Sequence, residues 1–319
     1  MRKRRAQLLS SSDKTRSPLL QIAYHPSYSH PLPPGHRFPM VKYELIPAQL
    51  LHRGIVQASN FFAPGLAVVE AIAQAHAPGY CRQLLDLTLP PAMVRRIGFP
   101  LSAQLVEREL RIVQGTIDGC LFAVEHGGVA FNVAGGTHHA GRDWGEGFCL
   151  LNDQGVAAAW LVNRAICQRV LIIDLDVHQG NGTAQLFEDD PRVFTFSMHG
   201  ERNFPFRKEQ SDLDVGLPDG VGDEPYLELL QYHLELIFEC SQPDFVFYQA
   251  GVDVLETDRL GKLALTKTGC RKRDELVFYY CNSANVPVQV SMGGGYSARI
   301  GDIVDAHCHT FEAAIRFYD

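Results

Sequence analysis

Asp176 and His178 stand two residues apart, directly after the apolar run Val170-Leu171-Ile172-Ile173. In extended chain that spacing sends both side chains off one face, with Asp174 on the same face one pleat deeper. A carboxylate and an imidazole so placed form a two-ligand clip. Asp253, which follows the run Phe245-Val246-Phe247-Tyr248, adds a third ligand. Two carboxylates and one imidazole suit Zn²⁺ with its fourth position open, although Fe²⁺ or Co²⁺ would fit the same donors. Zinc lowers the pKa of a water from about 15.7 to about 7, which makes a nucleophile at neutral pH. His138 and His139, after Gly135-Gly136-Thr137, have the chemistry to take and return a proton, and Tyr296, after Gly293-Gly294-Gly295, has a hydroxyl to donate. Each piece alone has an ordinary reading: a strand-end aspartate caps the next helix, a histidine satisfies a turn, a tyrosine fills a gap. Their shared position, just beyond predicted strands, singles them out.

Such residues meet only if strand ends are brought together, and in open α/β sheets ligands bind outside the carboxyl ends of the strands. From Val129 onward, short β-branched or aromatic runs alternate with helical segments, the pattern of βαβ units. Strands are predicted over 129–133, 170–173, 245–248 and 286–290, with crossover helices over 152–167 and 271–284. Upstream, helical spacing covers 42–56, 63–77, 90–97 and 102–124. The proline- and glycine-rich stretch 25–39 is predicted as a long loop, neither helix nor central strand. The expected fold class is α/β, an open and mostly parallel sheet with helices on both faces.

Composition narrows the function classes. The chain has 319 residues, 46% hydrophobic and 20% charged, enough for one large domain, here set at 21–319 after a basic tail at 1–20. No apolar run approaches the 20 or so residues of a membrane span. A net charge of −7 leaves no domain-wide positive field, so nucleic acid is not an expected partner. The eight cysteines are scattered, with no C-x-x-C, and segment 6–18 lacks the apolar core of a secretion signal. Reduced thiols and a cytoplasmic location are expected. No G-x-S-x-G, H-E-x-x-H or G-x-G-x-x-G occurs, which removes the main serine-hydrolase, metalloprotease and dinucleotide readings.

The runs GGTHHAGRDWGEGFCLLND (135–153), IIDLDVHQGNGTAQLFEDDPRVFTFSMHG (172–200), YQAGVDVLETDRLGKLALT (248–266) and MGGGYS (292–297) resemble the zinc-dependent histone deacetylases. The resemblance runs in order over about 25–317, and HPLPPGHRFPMVKYE (30–44) with RIGFP (96–100) is most similar to the class IV branch and its bacterial relatives. It implies an arginase/deacetylase-like fold in which Asp176, His178 and Asp253 hold zinc. His138 and His139 would flank the reacting water, and Tyr296 would donate to the substrate carbonyl. Asp174 would stand behind His138 and Asn181 behind His139. An amide orients an imidazole without stabilising its cation, so His139 is expected to be less basic than in class I enzymes, which carry an aspartate there.

The same resemblance places Phe148 and Phe204 as walls of an acyl-lysine tunnel, with Gly147 and Gly294 along the substrate path. It implies one potassium site at Asp174, Asp176, His178, Ser197 and Met198, and a second at Phe187, Asp190 and Val193. The implied reaction removes acetyl or longer acyl groups from lysine side chains of proteins or peptides. Small acetylated amines such as acetylpolyamines are the alternative substrate, and an acyl-lysine binding module without hydrolysis is the other class of reading. Class I enzymes carry a rim-loop aspartate that grips the substrate backbone, and Arg96 to Pro100 offers no acid in its place. An arginase-like ureohydrolase would need more aspartates than this spacing supplies. The sequence gives no indication of oligomeric state.

Overall fold

The computed structural model describes residues 20–318, so the tail expected at 1–20 lies outside the described residues except for Leu20, which opens the first strand. The described residues begin with β1 (Leu20–Ala23), α1 (Lys42–His52), β2 (Phe61–Phe62), α2 (Val69–Ile72), α3 (Pro78–Leu85), α4 (Pro91–Ile97) and α5 (Ala103–His126). Next come β3 (Val129–Asn132), α6 (Asp153–Asn163), β4 (Val170–Asp174), α7 (Asn181–Phe187), β5 (Val193–Gly200) and β6 (Leu213–Leu217). The last elements are α8 (Asp223–Ser241), β7 (Phe245–Gln249), α9 (Lys267–Ser283), β8 (Val288–Ser291) and α10 (Ile300–Tyr318). Side-chain caps start the helices that cross between strands: Asn152 accepts from Gly155 N before α6, and Thr266 from Gly269 N before α9.

The eight strands among the described residues join one sheet in the order β2-β1-β3-β8-β7-β4-β5-β6, with every neighbouring pair parallel. The sheet is thus wholly parallel where a mostly parallel one was expected. The four predicted strands are β3, β8, β7 and β4, four neighbours at its centre. Every residue in them is buried, as strands covered on both faces must be. Ala130 packs against Gly119 of α5, while Phe131 stacks on Phe311 of α10 at 4.1 Å. Successive strand residues face opposite ways, so α5 and α10 cover opposite sides of the sheet. No described helix is long and apolar enough to cross a membrane.

Three expectations are corrected. The helix expected over 63–77 is a single turn, α2, because Pro64 and Gly65 hold its start extended and tertiary ties end it: Ala77 N donates to Arg142 O, and the His76 ring bonds Gly141 O and Asn152 N. The helix expected over 42–56 stops at His52, where Gly54 turns the chain at φ 66°. Within the loop 25–39, Pro26–Tyr28 forms one 3₁₀ turn. Strands β1, β2, β5 and β6 went unpredicted; the first two are too short to show alternation.

One buried ion pair ties the middle of the sheet to α9. Arg273 is wholly buried, pairs with Asp274 at 2.8 Å, and donates to Leu175 O at 3.2 Å and Gly251 O at 2.6 Å. It therefore pins the chain just beyond β4 and β7, from which the metal-ligand candidates project. Tyr248 donates to the same Asp274 oxygen as Arg273, and Thr310 to the other. Asp274→Ala is expected to destabilise the protein by about 3–5 kcal/mol, since it strands a buried guanidinium. A chemical-denaturation midpoint unchanged from wild type would contradict this.

Candidate active site

The ends of β4, β7 and β8 deliver one buried cluster. Beyond β4, Asp176 N donates to Asp174 Oδ1 at 3.1 Å and His178 N to Asp176 Oδ1 at 3.0 Å, which folds the three residues into a tight bend. Beyond β7, Asp253 Oδ1 accepts from Val177 N at 2.9 Å. Beyond β8, Gly294 N donates to Asp176 Oδ2 at 2.8 Å, and a Cβ on Gly294 would collide with the Asp253 carboxylate. Ligand atoms of Asp176, His178 and Asp253 all lie within 4.8 Å of one another.

Among the described residues no lysine or arginine pairs with either carboxylate; their only partner in an ion pair is imidazole. Burial opposes the charge on Asp176, but His138 and His178 outweigh it and hold that carboxyl well below the usual range. Burial and the neighbouring Asp176 push Asp253 up to about 7. Two carboxylates compete for one dry site, and a divalent cation between them would relieve the conflict. The donors therefore fit a metal ion.

Two histidines from the turn after β3 face this cluster, their rings 4.1 Å apart. His138 Nδ1 lies 2.6 Å from Asp174 Oδ2. Burial opposes a charge on His138, but Asp174 and Asp176 prevail and raise its pKa to about 9. His139 Nδ1 instead meets the Asn181 amide oxygen at 2.7 Å. Burial, with His138 and His178 close by, holds its pKa well below the usual imidazole value. The two imidazoles are thus driven in opposite directions, His138 toward the charged form and His139 toward the neutral one.

Tyr296 is half-buried, and its desolvation together with Asp253 and Asp176 holds its hydroxyl protonated far above neutral pH. Phe148 and Tyr296 are 6.1 Å apart, and Phe204 meets His139 edge-on at 5.0 Å. A passage of about 390 Å³ runs between Phe148 and Phe204 and reaches His139, His178 and Tyr296. Gly147 and Phe148 both have positive φ, 56° and 69°, and a Cβ on Gly147 would stand 2.7 Å from the His139 ring. This backbone bend turns Phe148 into the passage and brings the chain against the histidine. At the outer end stand Arg37, Arg96, Arg202 and Lys262, with Phe206 89% exposed. A smaller chamber of about 40 Å³ opens inward and is lined by Phe38, Tyr43 and Arg108 as well as the cluster.

The expected potassium residues fall into two places. Ser197 lies opposite Asp174 in the β4/β5 register, with Met198 next to it and the Asp176–His178 bend following Asp174. Phe187, Asp190 and Val193 form the turn from α7 into β5, where Asp190 N bonds Phe187 O and Val193 N bonds Asp190 O.

Several supports escaped sequence reasoning. Asp153 takes the N–H groups of Gly136 and Thr137 and the hydroxyls of Thr116, Thr137 and Ser291, so one carboxylate braces the turn that carries both histidines. Asp258 accepts from Tyr296 N at 2.6 Å and from Leu260 and Gly261. Lys42, wholly buried, donates to Gly293 O at 2.8 Å, and burial brings its pKa down to about 8. Glu146 accepts from Asn181 Nδ2 at 2.7 Å. Only Asp153 left a visible signal, as an acid in the first turn of a predicted helix.

The family model for the histone deacetylase domain matches residues 36–311, a span that contains every group of this cluster. The chain belongs to the histone deacetylase family. An uncharacterised protein of Picosynechococcus is 48% identical over 297 residues, 93% of this chain and 99% of that protein. Human histone deacetylase 1 is 30% identical over 316 residues, 92% of this chain but 62% of its own length. Arabidopsis histone deacetylase 2 is 37% identical over 194 residues, 59% of this chain and 50% of that protein. The chain thus spans nearly all of the cyanobacterial relative and about half to three fifths of the two named deacetylases. The crystal structure of a histone deacetylase homologue from Aquifex aeolicus superposes with a TM-score of 0.79 at 23% identity, covering 92% of this chain and 82% of that one. That likeness bears out the expected fold. A hydrolase of the histone deacetylase family is the functional class these findings support.

Proposed function

We propose that the protein is a zinc-dependent deacetylase of acyl-lysine peptides or proteins. The observation that carries this reading is the aromatic passage between Phe148 and Phe204, which leads from a cationic mouth to the Asp176, His178 and Asp253 cluster. Its aromatic walls suit the aliphatic stem of a lysine side chain, and the inner chamber of about 40 Å³ suits an acetyl methyl better than a fatty chain.

Asp176, His178 and Asp253 would hold the zinc, which supplies Lewis-acid polarisation of the scissile amide and acidifies a water molecule. His139, neutral and with Nε2 bare, takes the proton of the attacking water. The Tyr296 hydroxyl donates to the oxygen that becomes negative in the transition state. His138, kept charged by Asp174, adds positive charge beside the same developing oxyanion. His139 then returns its proton to the departing lysine amine. The two potassium sites, if filled as the resemblance implies, would neutralise buried carboxylate and carbonyl oxygens beneath this machinery.

Acetylated polyamines share the chemistry but carry positive charge toward the mouth. Arg96 and Arg202 there are paired with Glu146 and Asp219, whereas Arg37 and Lys262 have no carboxylate partner among the described residues. Like charge at that entrance repels a polycation. With zinc-loaded protein and His139→Ala as blank, kcat/KM is expected to be at least about tenfold higher for an acetyl-lysine peptide than for acetylspermidine, and higher for acetyl than for myristoyl. Mass spectrometry of the released amines reads both ratios. A preference for acetylspermidine would transfer the site to small amines, and no release from any substrate would reject hydrolysis.

A further inference from the structure

An asparagine side chain can face a histidine in two ways. If Oδ1 faces Nδ1, the ring carries its proton there and Nε2 is free to accept another. If Nδ2 faces Nδ1, the proton must sit on Nε2, and the imidazole can take nothing from a water molecule. His138 avoids the choice, because Asp174 offers only acceptors. His139 faces Asn181 and does not.

The Asn181 amide is itself held. Its Oδ1 is 2.7 Å from His139 Nδ1, and its Nδ2 donates to Glu146 Oε1 at 2.7 Å. Turning the amide would set Oδ1 against the Glu146 carboxylate, with no hydrogen between them. Glu146 is fixed in turn: its side chain is 13% exposed, Arg96 donates to its other oxygen at 2.8 Å, and that guanidinium lies 5.5 Å over the Trp144 ring. Arg96 comes from the rim stretch that lacks an acidic residue, and this stretch thereby gains a second task.

We propose that Glu146 is a positioning residue that sets the tautomer of His139 through the Asn181 amide. The proposal rests on the reading of His139 as the proton-transfer group. Histidine labelled with ¹⁵N in the zinc-loaded protein reports it directly, with the His139 signals assigned by their loss in His139→Gln. Wild type is expected to carry the proton on Nδ1. Glu146→Leu is expected to show a population protonated on Nε2 and to lose kcat by roughly tenfold or more with little change in KM. Glu146→Gln keeps one oxygen for Asn181 and should retain the wild-type tautomer. Glu146→Leu combined with Asn181→Asp puts acceptors alone beside Nδ1 and should restore both tautomer and rate. An unchanged tautomer in Glu146→Leu, or a double variant as mixed as the single one, overturns the proposal. If wild type hydrolyses no acyl-lysine substrate, the functional reading fails, while the spectra still decide the tautomer.

Discussion

Tyr296→Phe is expected to lower kcat by about 10²- to 10³-fold, with KM little changed. The hydroxyl is held protonated well past neutral pH and has a donor's role only when the carbonyl oxygen gains charge. The ring is a different matter: it packs 6.0 Å from Phe38 and 6.1 Å from Phe148, contacts that phenylalanine preserves without leaving a cavity. Steady-state kinetics on an acetyl-lysine peptide separate the two contributions. A raised KM at unchanged kcat would make the tyrosine a ground-state contact and remove it from the chemistry.

Stripping the metal with a chelator is expected to abolish turnover and lower Tm by on the order of 5–10 °C. An ion bound by the native state alone stabilises it by about 2.7 kcal/mol at a hundred times its Kd, and a chain of this size shifts a few degrees per kcal/mol. The physical source is the crowding of Asp176 and Asp253, two buried carboxylates with no lysine or arginine partner among the described residues. Asp253→Asn should melt at one temperature with or without zinc. A wild-type Tm indifferent to chelation would show that the cluster holds no ion.

The chemistry was legible where it follows strands. Asp176, His178, Asp253, His138, His139 and Tyr296 all lie just beyond predicted strands, and a parallel sheet brings such positions together whatever the intervening sequence. The flanking strands were not legible: β1 has four residues and β2 two, too few for alternation to register. The expected helix over 63–77 failed because the ties of Ala77 and His76 to a distant loop outweigh local spacing. Lys42, Asp258 and Glu146 were missed for a related reason. Each acts on a residue far along the chain, and a charged residue among ordinary surface charges carries no mark of its eventual burial.

The strand order also governs how the protein must be made. β8 is the last strand among the described residues, yet it lies between β3 and β7. Until it emerges from the ribosome, those two apolar strands have no partner on their facing edges, and the glycine run with Tyr296, which follows it, is not yet in place. A nascent chain lacking β8 therefore presents two sticky edges that invite pairing with other chains. Assembly of the active site and protection from aggregation fall to the same late insertion.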